Sequence, residues 1–155
     1  MTELESVTLT RHYPIAADRL YDILTQPSYM EQWFSPAPEI KLTILKHEAT
    51  VGAPYQFAYQ MPDGERHIVV GEYCALKRPT LIAFTWGWTE PDPHAGISTL
   101  VTLTLRELEG ETALTVLHEQ LHTGDMADRH RAGWAGTLDR LDTLAHTLKK
   151  EMPHV

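Results

Sequence analysis

The sequence predicts an α+β domain: a curved antiparallel sheet of about seven strands wrapped around one long C-terminal helix, with two short helices after the first strand. Three observations carry that reading. Between Thr123 and Lys150, residues Trp134, Leu138, Leu141, Ala145 and Leu148 recur at alternating steps of four and three, which is one face of an α-helix. From Ile40 to Leu121 the chain instead alternates apolar and polar residues in runs separated by short turns. Consecutive strands joined by short turns lie side by side and antiparallel.

Each element has its own signal. Val7 and Leu9 alternate with Thr8, Thr10 and His12 in a half-buried strand from Ser6 to Tyr13, which Pro14 closes. Arg11 shares the apolar face of that strand, where it must pair, reach water past the sheet edge, or face a ligand. Leu20, Ile23 and Leu24 share one side of a helix from Ala16 to Thr25. A second short helix, Pro27 to Phe34, opens on a tolerated proline and stops at Pro36 and Pro38. The adjacent Trp33 and Phe34 at its end suit a core plug or the mouth of a pocket.

Strands follow at Ile40–Ile44, Tyr55–Met61, Arg66–Leu76, Leu81–Trp88, Ile97–Leu108 and Thr112–Leu121. Pro62-Asp63-Gly64 is a hairpin signal, since glycine supplies the positive φ such turns need. Lys77 to Thr80 and Glu109 to Glu111 are further turns, and Glu90 to Gly96 is a loop.

The long helix is marked at both ends. Thr123 or Asp125 can cap its first amides, Asp125 and Asp128 suit the positive end of its dipole, and Lys149 and Lys150 suit the negative end, with Pro153 just beyond. At ~1.5 Å per residue it spans on the order of 35–40 Å, enough to cross the sheet. Its stripe is aliphatic from Leu138 onward. Toward the N-terminus it reaches His130 and Met126, and Gly133 and Gly136 flank Trp134. Two glycines cost a helix interior roughly 1 kcal/mol each. Either another backbone passes close by or space is left for a ligand, so the N-terminal half of this helix is where a site is expected.

Bulk properties narrow the function. With 155 residues, 43% hydrophobic and 22% charged, the chain suits one ordinary domain covering residues 1–155. A net charge of −8 with scattered basic residues speaks against nucleic acid or an anionic membrane as partner. No apolar run approaches the ~20 residues of a membrane helix. The N-terminus lacks the apolar segment of a signal peptide, and the single cysteine permits no internal disulfide, so a cytoplasmic location is expected.

His118-Glu119-Gln120-Leu121-His122 matches the zinc-protease pattern H-E-x-x-H, which works only on a helix. Here it continues a β-branched run, and four residues of strand span ~13 Å, too far for two histidines to share one ion. The match is accidental. Whichever of His118 and Glu119 points inward could pair with Arg11 or His130 and orient a ligand or do acid–base work. Cys74 has no activating base beside it and reads as a structural thiol.

At this point the chain resembles the START-like helix-grip proteins of the SRPBCC superfamily, in the branch of the activator of heat shock protein 90 ATPase homologue. The resemblance rests on Trp33-Phe34-Ser35-Pro36, Asp63-Gly64, Gly71, Pro79, Leu81-Ile82-Ala83-Phe84-Thr85-Trp86, Gly133-Trp134 and Leu138-Asp139-Arg140-Leu141, in the expected order. It implies the helix-grip fold already read from the pattern, and a cavity for hydrophobic molecules. Some superfamily members are cyclases or hydratases, and homodimers are admitted.

The expected function is therefore binding of a small hydrophobic molecule between sheet and helix. A cyclase, hydratase or hydrolase acting in the same cavity, and a chaperone-associated interaction module without a ligand, are the alternatives. The candidate binding residues are Trp33, Phe57, Tyr59, Phe84, Trp86, His118, His130, Trp134 and Leu138. No catalytic residue, metal ligand or cofactor is assigned. Neither nucleic-acid binding nor membrane insertion is expected.

Overall fold

The computed structural model describes residues 4–89 and 92–151. In chain order the elements are β1 (Glu5–Tyr13), α1 (Ala17–Thr25), α2 (Pro27–Trp33), β2 (Lys41–Lys46), β3 (Pro54–Gln60), β4 (Arg66–Lys77), β5 (Leu81–Trp88), β6 (Ser98–Leu108), β7 (Glu111–Leu121) and α3 (Gly124–Glu151). The strands form one curved antiparallel sheet in the order β1-β7-β6-β5-β4-β3-β2. The helix-grip architecture expected from the sequence is thus the architecture found. Glu90 and Pro91 of the β5–β6 loop, and Pro153, lie outside the described residues.

From β2 to β7 the sheet is a meander, as short turns dictate. At the β3–β4 turn Gly64 takes a φ of 92°, and Asp63 accepts the Glu65 amide at 2.8 Å. β1 instead crosses to the far edge and pairs with β7, with Val7 opposite His118 and Tyr13 opposite Thr112. There Tyr13 reaches under α3, its hydroxyl donating to the Leu138 carbonyl at 3.1 Å.

Thr123, rather than Asp125, caps α3 by accepting the Met126 amide at 3.0 Å. The predicted stripe is buried from Trp134 to Ala145, with no exposure at Leu138, Leu141 or Ala145, and its last member, Leu148, is half-buried. α1 and α2 close the core from the other end, where the Trp33 indole donates to Ile23 O at 2.9 Å. Arg140 on α3 ties down the segment after α2. It donates to Gln32 O at 3.0 Å and also to the Ser35 hydroxyl.

The two glycines of α3 have different reasons. A Cβ on Gly136 would stand 2.3 Å from Pro36 O, so this glycine exists for close backbone approach. A Cβ on Gly133 would meet nothing within 4 Å. That position borders open space.

Candidate functional site

The inner face of the sheet divides into a filled part and a hollow part. Tyr55, Phe57, Tyr73 and Phe84 pack in a cluster, Tyr55 stacked on Phe57 and edge-to-face with Phe84, at ring separations of 4.5 to 6.1 Å. Trp33 and Phe34 close over them, leaving a gap of only about 10 Å³. Further along the same face, Tyr59, Trp86 and Trp88 line one side of a pocket of about 320 Å³. This lies at the low end of the ~300–1,000 Å³ range of small-molecule sites. Phe34 and Pro36 from the α2–β2 segment, Ile40, Met61, and Arg129, His130, Gly133, Trp134 and Thr137 of α3 complete its wall.

The helix contributes two adjacent stripes. Arg129, Gly133 and Thr137 are spaced by four and border the pocket, while His130, Trp134 and Leu138 form the next row. In that second row His130 and Trp134 still touch the pocket, whereas Leu138 is wholly in the core.

Behind the aromatic wall sits a chain of buried hydrogen bonds whose proton positions follow from the chemistry. An indole N–H can only donate. The Trp134 indole donates to His118 Nδ1 at 3.0 Å, so that nitrogen is unprotonated. In the neutral ring the proton then rests on Nε2, which donates to Thr99 Oγ1 at 2.7 Å. The Thr99 hydroxyl in turn donates to Trp86 O at 2.7 Å. At His130 the order is reversed: the Trp88 indole donates to Nε2 at 3.1 Å, and Nδ1–H donates to Met126 O at 2.8 Å.

The two imidazoles meet edge to face, 4.7 Å apart. Burial, then the neighbouring His130, pushes His118 down to about 3. Burial likewise lowers His130, outweighing its bond to Met126 O. Both rings are neutral and have every nitrogen engaged. The Trp86 indole N–H is buried without an acceptor among the described residues.

One face of the pocket mouth carries charge. Arg129 lies with its guanidinium 5.1 Å over the Trp88 ring and donates through Nη1 to Asp92 Oδ1 at 2.8 Å. A second bond joins its other terminal nitrogen to Asp92 Oδ2.

Of the residues singled out from the sequence, Tyr59, Trp86, His130 and Trp134 line the pocket. His118 stands directly behind them, bonded to Trp134. Trp33, Phe57 and Phe84 lie instead in the filled aromatic core, and Leu138 in the aliphatic core. The undecided face of β7 is resolved, since His118 is wholly buried and Glu119 half-buried. Arg11 takes no part, because it pairs with Asp139 of α3 at 2.5 Å near the sheet edge.

The H-E-x-x-H match does lie on a strand, with His122 exposed just beyond its end. Cys74 is exposed on β4 rather than packed as a structural thiol. Phe34, Trp88, Arg129, Gly133 and Thr137 are lining residues the sequence reading left out of the site. Trp88 had a signal, as it continues the alternating face of Phe84 and Trp86.

Comparison with known proteins gives a consistent family and fold. The chain matches the family described as Activator of Hsp90 ATPase homolog 1-like protein over residues 14–146. Among solved structures, it is similar to an AHSA1 protein from Silicibacter pomeroyi, with a TM-score of 0.82 at 24% identity, covering 96% of this chain and 100% of that one. A protein from Chromobacterium violaceum gives a TM-score of 0.81 at 22% identity, covering 90% and 96%. One from Arthrobacter aurescens gives 0.79 at 20%, covering 94% and 91%. At these identities the likeness concerns the fold. No match is found among curated proteins.

Proposed function

This chain belongs to the Activator of Hsp90 ATPase homolog 1-like family, and on that footing we propose that it binds a small hydrophobic molecule in the pocket between sheet and helix. The observation that carries the proposal is the pocket itself: about 320 Å³, walled by Phe34, Tyr59, Trp86, Trp88 and Trp134. Aromatic walls around a hollow gain free energy when a flat apolar molecule displaces water from them.

The hydrogen bonding behind the wall supports binding over acid–base chemistry. His118 and His130 satisfy the indole donors of Trp134 and Trp88. Each imidazole's one free lone pair is thereby used, so neither ring is poised to take a proton from a substrate. Their task in this reading is to keep the wall dry and its rings fixed. Among the described residues no helix is long and apolar enough to cross a membrane.

Native mass spectrometry of freshly purified protein tests the proposal against the denatured mass. A non-covalent excess of up to a few hundred daltons, lost on denaturation, is the expected result. A bare mass, together with failure of any apolar probe to bind, would reject it.

A further inference from the structure

Among the described residues, Arg129 is the one formally charged side chain lining the pocket, His130 being neutral. Its charge is already matched. The Asp92 carboxylate, with no side-chain exposure, takes both terminal nitrogens of the guanidinium in a two-pronged pair. Asp92 is itself held from other sides: Oδ1 accepts the His94 amide at 2.8 Å, and Oδ2 faces His67 Nδ1 at 3.3 Å. His67 is in turn bound to Glu65 at 2.5 Å. Burial alone would raise the Asp92 carboxyl, but the Arg129 and His94 hydrogen bonds outweigh it and hold the group below its usual range.

A carboxylate so placed has a consequence for whatever enters the pocket. An anionic ligand reaching Arg129 finds its planar fork filled, and meets a second negative charge directly behind it. A neutral ligand of the same shape loses nothing and can lie against the aromatic wall of the pocket. We propose that Asp92 is the specificity-determining residue of this pocket, and that by occupying Arg129 it makes the site select neutral aromatic ligands over anionic ones. The inference rests on the binding function proposed above and adds the charge of the ligand to it.

The test uses two flat probes of nearly equal shape, 2-naphthol and 2-naphthoate, titrated near neutral pH, where the first is neutral and the second anionic. Indole fluorescence reports binding to the wild type, Asp92→Asn and the double variant Asp92→Asn/Arg129→Gln. Asparagine keeps an acceptor for the His94 amide, and Arg129 is only partly buried, so the single variant is expected to fold. Asp92→Ser is a second route to the same uncharged site.

The wild type is expected to prefer 2-naphthol by about tenfold or more, the scale of one charge-assisted hydrogen bond. Asp92→Asn removes the negative charge and frees one prong of the fork, and should raise 2-naphthoate affinity by a similar factor while leaving 2-naphthol nearly unchanged. The double variant should lose that gain. Equal binding of both probes by the wild type, or an unchanged ratio in Asp92→Asn and Asp92→Ser, overturns the role of Asp92 and leaves the pocket reading intact. Failure of both probes to bind any form rejects the pocket reading, and this inference with it.

Discussion

Trp134 donates its indole N–H to His118 Nδ1 at 3.0 Å, and this contact fixes the tautomer of a residue that water does not reach. An unfolded chain takes up a proton on histidine near its ordinary value of about 6.5. The folded chain refuses it until about 3, chiefly because burial penalises the charge.

His118 therefore contributes stability that is fully present above about pH 6.5 and is lost as the pH falls toward about 3. The loss should approach ~1.4 kcal/mol per pH unit within that window. Asp92 and His130 are also lowered, and act in the same direction. The comparison that isolates His118 is with His118→Gln, whose amide can still accept and donate. Denaturant midpoints from pH 7 to pH 4 should fall less steeply in the variant. Parallel curves would show that His118 titrates normally.

Trp134 has two roles that substitution separates. Trp134→Phe keeps most of the ring but leaves a buried acceptor on His118 without a donor, and should cost about 1–3 kcal/mol. Going on to alanine should add less than the ~3–5 kcal/mol typical of an aromatic packed on every side, because this ring borders the pocket. Denaturant melts of both variants measure the two steps, and a full core-sized second step would mean that the pocket collapses around the ring.

The glycines of α3 give opposite expectations. Gly136→Ala places a Cβ against Pro36 O and should destabilise by about 1–3 kcal/mol despite its better helix propensity. Gly133→Ala meets open space and should stabilise by up to ~1 kcal/mol. Gly133→Leu should keep the fold while filling the pocket, so an apolar probe binds at least about tenfold more weakly to it. Thermal melts and a probe titration decide each; unimpaired binding by Gly133→Leu would place the ligand elsewhere.

The same helix shows where a sequence can and cannot be read. Leu138, Leu141 and Ala145 announce a buried stripe because burial selects apolar side chains at helical spacing. Arg129, Gly133 and Thr137 line a hollow, and nothing about a charged, a missing and a short polar side chain forms a pattern until the neighbouring wall is known. Trp33, Phe57 and Phe84 could not be told from Trp86 by composition, since an aromatic filling a core and one facing a void obey the same alternation. The face of β7 was undecidable because apolar residues occur on both: Leu114 and Val116 with His118, Leu117 with Glu119. Burial of β7 beneath α3, and the indole donor waiting at Trp134, resolve it. The place of β1 beside β7 depends on a pairing about a hundred residues apart in sequence, for which no local signal exists.

The most direct test of a ligand pocket uses the chain's four tryptophans as reporters. Indole N–H resonances of Trp86, Trp88 and Trp134 belong to the pocket wall, while that of Trp33 is bonded to Ile23 O in the filled core. Nitrogen-15 correlation spectra recorded during titration with 2-naphthol should show the three pocket signals moving saturably and Trp33 standing still. The Gly133→Leu variant should need at least about tenfold more probe for the same movement. Movement of none of the three, or equal movement of all four, would contradict a binding site between the sheet and the helix.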